Sequence, residues 1–372
     1  MFAANLPESL IKSLSIRANK LGAINLGQGI PSFPTAPHII AAAKKSLEDP
    51  TIGVYPNFLG EIELREALAR KLGRESKHIL VTVGAMEGTA AAIFSLVETG
   101  NRVGIVTPDY CNHIPQVLLA RGIPVEIPMR EEKQWMLDFE LLEKEARGDL
   151  RLLIITNPNN PTGAVFTKSD LDRLVLLAKQ YDFWILADET YSFLTYEEPF
   201  LSLLDFWDQF EKLIVVRSFS KEYAMTGWRV GYVVAREKVI SGIAKVHDAL
   251  TGCAPKISQR AALAALTGPQ AIVGEYKDAF KKRRDLGCLL LDGIAGLTYT
   301  KPQGAYYLFP RFAGKKSSIA ISEKLLTQSL VAVVPGSAFG ECGEHHIRIS
   351  FAVEESVLTE GLRRLHGGIL SE

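Results

Sequence analysis

The stretch RSFSKEYAMTGWRVGY, residues 217–232, sets two serines, Lys221 and Arg229 on a turn between the apolar runs LIVV and VGYVVA. Lysines ordinarily stay in water, so one held at the edge of a buried layer is placed for chemistry. Lys221 is a candidate for covalent catalysis through its amine, and Ser218 and Arg229 offer a hydroxyl and a guanidinium fork to an anion. Other polar residues of suitable type also follow apolar runs. Tyr110 follows RVGIVTPD. Asn157, Asn159 and Asn160 lie in TNPNNPTG, where prolines and a glycine forbid a helix and hold side-chain amides at a loop. Asp188 and Tyr191 follow FWILA, and Gly84 closes HILVTV just before the helical segment EGTAAAIFSLVE.

The elements that must position these residues are legible as an alternation. Six short, β-branched runs (HILVTV, RVGIV, RLLIIT, FWILA, LIVV and VGYVVA) are apolar on both faces, as strands buried between two helical layers are. Between two of them, KSDLDRLVLLAKQYD places Leu171, Leu174, Val175 and Ala178 on one helical face, with Thr167 as its cap. The predicted fold class is α/β, an open and mainly parallel central sheet between helical layers. Such sheets take their ligands beyond the carboxyl ends of the strands, where the residues above converge.

The collection suits one kind of ligand. Gly84, Ala85 and Met86 at a strand-to-helix junction can offer backbone amides to a phosphate, joined by Ser218 and Arg229. Tyr110 is placed to face a flat heteroaromatic ring, Asp188 to meet a ring nitrogen, and Lys221 to capture an aldehyde. Pyridoxal 5'-phosphate has all of these groups.

Composition narrows the partners. Over 372 residues, Lys plus Arg equals Asp plus Glu at 42 each, so no basic excess invites nucleic acid or an anionic membrane. The four cysteines are far apart with no CxxC pair, which argues against a disulfide framework or a structural zinc site and fits a cytoplasmic protein. The first twenty residues lack a secretory apolar core, and no apolar run is of membrane-spanning length. Cys342, His345 and His346 in ECGEHH look like metal ligands, but adjacent histidines in an extended segment diverge, and no metal is expected. LGQGIPS is no dinucleotide fingerprint, because Pro31 and Pro34 break the pattern.

An ordered set of segments resembles the fold-type-I, class I/II aminotransferases of the aspartate aminotransferase superfamily: NLGQGIPSFPTAP (25–37), VYPNFLGEIELREAL (54–68), VTVGAMEGT (81–89), NPNNPTGAVF (157–166), ADETY (187–191), SFSKEYAMTGWRVGY (218–232), VVPGSAFG (333–340) and IRISFA (347–352). The resemblance implies pyridoxal phosphate held by Lys221 as a Schiff base, with Asp188 on the pyridine nitrogen, Asn160 and Tyr191 at the ring hydroxyl, and Tyr110 stacked on the ring. It implies Gly84, Ala85, Met86, Ser218 and Arg229 around the phosphate, with Tyr55 reaching over from a neighbouring subunit of a homodimer. Arg348 would grip the substrate carboxylate with Asn160 and the backbone near Gly29. The implied catalytic residues are Lys221, Asp188 and Tyr191, moving an amino group between an α-amino acid and an α-keto acid by a ping-pong mechanism. Lysine among cations and ring is expected to have a lowered pKa.

Two departures from the family pattern, Ser32 and Asp109, are expected to border the region of the substrate side chain. The implied layout is an N-terminal arm and part of a small domain (1–39), a large cofactor domain (40–270) and a small α+β C-terminal domain (271–372). A β-lyase of the cysteine-conjugate type on the same scaffold is the alternative chemistry. A non-catalytic sensor fused to a transcription regulator lacks any DNA-binding module or basic patch here.

Overall fold

The computed structural model describes residues 10–370. Its centre is a seven-stranded sheet whose strands lie in the spatial order Ile79–Thr82, Gly231–Ala235, Leu213–Ser218, Trp184–Asp188, Leu150–Thr156, Arg102–Thr107 and Ile123–Pro128. Gly231–Ala235 runs antiparallel to both neighbours, and the other four pairings are parallel. The six apolar runs all form strands, and their two-sided character has a direct cause. Leu153 and Ile155 enter one hydrophobic core while Leu152 and Ile154 enter the other, so neither face of the strand meets water.

Helices cover both faces. The helix Lys168–Gln180 begins with a reciprocal capping box between Thr167 and Asp170, and it buries Leu171, Leu174, Val175 and Ala178 against one face. On the other face lie Ala91, Ala92 and Ile93 of Ala85–Leu96, with Ile240, Ile243 and Ala244 of Glu237–Thr251. Truncating a fully buried leucine of the sheet or of a covering helix, such as Leu186 or Leu174, removes about 2–5 kcal/mol.

A third core joins the segment around Leu26 to the last third of the chain, packing Tyr276, Phe280, Tyr306, Tyr307, Ile347, Ile349, Phe351 and Leu362 together. Its three-stranded sheet is antiparallel, with Ile347–Ser350 between Tyr307–Leu308 and Val334–Pro335. Ile24–Asn25 pairs in parallel with Val331–Ala332, which draws the amino-terminal segment onto this body.

The topology places the site. Parallel strands present their carboxyl ends on one edge, so the residues after Thr107, Thr156, Asp188 and Ser218 gather there. Because Gly231–Ala235 runs the other way, its first residue pairs with Ser218 and Thr82 at that same edge, and Arg229 just before it arrives beside them.

Candidate active site

A cavity of about 290 Å³ opens at this edge, lined by Gly29, Ala85, Met86, Tyr110, Asn160, Asp188, Tyr191, Ser218, Lys221, Arg229 and Arg348. The chain therefore brings together nearly all the residues singled out in the sequence, with Gly84 immediately behind Ala85.

Lys221 stands in the short helix Phe219–Glu222, whose start is capped by the Ser218 hydroxyl accepting from the Ser220 amide at 3.1 Å. Its Nζ donates to the Gly29 carbonyl at 2.5 Å. Burial, then the cations Arg348 and Arg229, push its pKa down to about 8, against the pull of Asp188. The sign sets a pH dependence. Below about 8 the group is an ammonium without a lone pair, and above it a free amine, whereas an unshifted lysine holds its proton to about 10.5. The rate at which cofactor-free protein captures pyridoxal phosphate, followed by absorbance, is expected to climb with pH and level off just above 8; a rate still climbing at pH 10 would contradict this.

Asp188 ends the strand Trp184–Asp188, and its Oδ1 accepts from the Thr190 amide at 3.0 Å and the Thr190 hydroxyl at 2.5 Å. Burial raises its pKa, opposed by His113, whose Nε2 lies 3.8 Å from Asp188 Oδ2. Nδ1 of that histidine is 2.6 Å from Asp109 Oδ2, and the Thr156 hydroxyl donates to Asp109 Oδ1 at 2.5 Å. Burial works to depress the pKa of His113, but the carboxylates of Asp109 and, to a lesser degree, Asp188 together outweigh it and the net shift is upward. Asp109, His113 and Thr156 are each at most 2% exposed, so the row Thr156, Asp109, His113, Asp188 is a buried polar chain that fixes one carboxylate from behind. This corrects the expectation for Asp109, which belongs to that chain and not to the cavity wall. Ser32 is also off the cavity: its hydroxyl donates to Glu354 at 2.7 Å and accepts from Arg283 at 2.9 Å.

Of the three asparagines in TNPNNPTG, Asn157 and Asn159 brace the loop, accepting from the amides of Phe166 and Thr162 at 3.1 and 3.0 Å. Asn160 faces the cavity, its Oδ1 accepting from Arg348 Nη1 at 2.9 Å. Arg348 is 1% exposed, lies between the rings of Tyr307 and Phe339 with centroids at 4.4 and 4.8 Å, and donates through Nη2 to the Gly27 carbonyl. A guanidinium so fixed is ready for a carboxylate.

The helix Ala85–Leu96 starts at Gly84 with no side-chain cap, leaving its first amides for an anion. Gly84 has φ 80°, and a Cβ there would stand 2.6 Å from Arg229 Nη2, so only glycine permits the guanidinium this close to the turn. Tyr110 presents its ring beside His113, its hydroxyl accepting from Asn112 Nδ2 at 2.7 Å. Ser220 lines the cavity with Ser218. Tyr55 is not brought to the cavity by its own chain; it is 89% exposed.

Two functional residues escaped the sequence reading. His113 could have been found as a histidine four residues after Asp109 at a helix start, and Tyr307 sits in GAYYLFP on the strand beside Arg348.

The arrangement fits pyridoxal phosphate: an uncapped helix start and a guanidinium for phosphate, a nucleophilic amine, and a buried carboxylate backed by a histidine whose Nε2 has no hydrogen-bond partner. The profile of the family described as "Aminotransferase class I and II" matches residues 22–365. The chain belongs to that family. As a class I/II aminotransferase it is 36% identical over 379 residues to an aspartate aminotransferase of Pyrococcus horikoshii, covering 98% of this chain and 95% of the relative. It is also 36% identical over 370 residues to an aromatic-amino-acid aminotransferase of Thermococcus litoralis, covering 96% and 95%. The solved aspartate aminotransferase of Thermus thermophilus with maleate superposes with a TM-score of 0.94 at 30% identity, over 99% of this chain and 98% of that one. This aminotransferase is a pyridoxal-phosphate-dependent enzyme that transfers amino groups, built on fold type I.

Proposed function

We propose that Lys221 anchors the cofactor of this aminotransferase and then moves the proton, that Asp188 backed by His113 meets the pyridine nitrogen, and that Arg348 with Asn160 receives the substrate α-carboxylate. Gly84, Ala85, Met86, Ser218 and Arg229 hold the phosphate, Tyr110 faces the ring, and Tyr191 faces its hydroxyl. The cofactor, when bound, supplies an electron sink for the substrate carbon. Lys221 supplies a nitrogen whose proton is lost near neutral pH, which a base acting on that carbon needs. Asp188 supplies fixed negative charge, since Thr190 holds one oxygen and the buried histidine faces the other. Arg348 orients the substrate, because its flanking rings leave the guanidinium little freedom.

The single observation that carries this reading is the convergence of Lys221, Asp188 and Arg348 on one cavity. Relatives named for aspartate and for aromatic amino acids make those the first amino donors to offer with a panel of keto acids. Transfer of nitrogen from donor to acceptor is expected. Pyruvate and a thiol from cysteine conjugates, with no transfer from any donor, would favour the β-lyase instead.

The homodimer belongs to the same proposal. Tyr55 is exposed beside Val54, Phe58 and Ile62, which are 61%, 45% and 48% exposed, an apolar patch of the kind a partner covers. Tyr55 of a second copy then completes the phosphate site. Sedimentation is expected to give a dimer, and Tyr55→Phe to weaken cofactor retention about tenfold; a fully active monomer would contradict this. In the same proposal residues 40–270 form the large domain and 1–39 with 271–372 contribute the small one, of which 1–9 and 371–372 lie outside the described residues. The proposed compartment is the cytoplasm, supported by four unpaired cysteines and by the lack, among the described residues, of any helix long and apolar enough to cross a membrane. Recovery of the enzyme in a membrane or secreted fraction would overturn that placement.

A further inference from the structure

Two tyrosines of the cavity wall, Tyr191 and Tyr307, pack against a third, Tyr306, and the three hydroxyls are not equivalent. Tyr306 donates to the Gly29 carbonyl at 2.8 Å, the same oxygen that receives Lys221 Nζ. Tyr307 and Tyr191 hold their hydroxyl oxygens 2.7 Å apart, so one donates and the other accepts. The ring of Tyr307 also lies 4.4 Å from the Arg348 guanidinium, and its strand pairs with the strand that carries Arg348. Room for its hydroxyl exists only because residue 29 is glycine: a Cβ there would stand 1.9 Å from the Tyr307 oxygen. A 2%-exposed tyrosine therefore touches the carboxylate-binding arginine with its face and a cavity-lining hydroxyl with its edge.

The direction of the shared proton decides what Tyr191 can do. If Tyr191 donated to Tyr307, only its lone pairs would face the cavity, and an ionised ring oxygen of the cofactor there would meet repulsion. If Tyr307 donates, the Tyr191 proton is free to point inward. We propose that Tyr307 is a positioning residue that donates its hydroxyl proton to Tyr191, turning the Tyr191 proton toward the ring hydroxyl of the cofactor, while its ring face steadies Arg348. This rests on the site assignment above. Beyond Tyr191, the ionisable groups facing Tyr307 are Tyr306, Arg348 and Cys111, and the first two are kept whole in every variant below.

The test is the titration of the bound-cofactor absorbance with pH, alongside steady-state kinetics, on the holoenzyme. A hydrogen bond to the cofactor oxygen favours its ionised form, so weakening that bond moves the midpoint upward. Tyr307→Phe keeps the ring and removes the hydroxyl. It is expected to raise the midpoint by about half a unit, lower kcat about threefold, and leave KM within about twofold. Tyr307→Leu also removes the ring and is expected to raise KM about tenfold more. In a Tyr191→Phe background, Tyr307→Phe is expected to add no further shift. An unmoved midpoint in Tyr307→Phe, the same shift persisting without the Tyr191 hydroxyl, or equal KM increases for Phe and Leu would each overturn the proposal. If cofactor in the unsubstituted enzyme is not linked to Lys221, the site assignment fails first, and that outcome is separable because it does not involve Tyr307.

Discussion

Lys221→Ala is expected to lower transamination by about 10⁴-fold while the protein still binds pyridoxal phosphate. The phosphate site remains, because Gly84, the uncapped helix start and Arg229 do not depend on the lysine side chain. What is lost is one nitrogen with two duties. Its lowered pKa, caused by burial and by Arg348 and Arg229, lets it attack near neutral pH and later hold a proton beside the reacting carbon. No other amine replaces it, since among the described residues Lys12 is the sole further lysine at the cavity, and it stands exposed at the rim. Single-turnover absorbance with an amino donor separates binding from chemistry, and a variant retaining activity within about a hundredfold would show that the proton moves through another group.

Asp188→Asn is expected to cost about 10³-fold in the half reaction, with a smaller loss in Asp188→Glu. The amide preserves shape and the Thr190 contacts but removes the charge that a protonated ring nitrogen needs as its partner. Burial alone pushes the carboxyl toward its neutral form, so the charge depends on a cation nearby, and His113 is the one built in behind it. Rapid mixing of variant holoenzyme with donor reads the loss directly. An asparagine enzyme within about tenfold of the parent would mean that negative charge at this position is not required.

How much of this was legible in the sequence follows from the physics of each element. The six recognised strands are central and apolar on both faces, so periodicity and β-branching coincide. The seventh, Ile123–Pro128, lies at the sheet edge with Pro124, Glu126 and Pro128, and it is too polar and exposed to stand out as a strand. The strands of the smaller sheets are only two to four residues long, below the length at which alternation can be recognised. Residues within one motif, such as Lys221 with Ser218 and Arg229, were found because their spacing is local. The buried row from Thr156 to Asp188 was not, because it joins three segments that are neighbours only in the sheet. Tyr307 was hidden differently: a tyrosine on an apolar strand looks like core, and its hydroxyl contact with Tyr191 crosses 116 positions of sequence. Asp109 shows the converse error. As a departure from the family pattern it was expected to border the substrate side chain, but its carboxylate is bonded to Thr156 and His113 instead.

The central claim is that one amine, at position 221, carries the cofactor. Borohydride reduction of the loaded enzyme, followed by digestion and peptide mass analysis, is expected to find a reduced pyridoxyl-phosphate label on the peptide containing Lys221 at one per chain. Full loading with that peptide unlabelled, or with the label on another lysine, would contradict it.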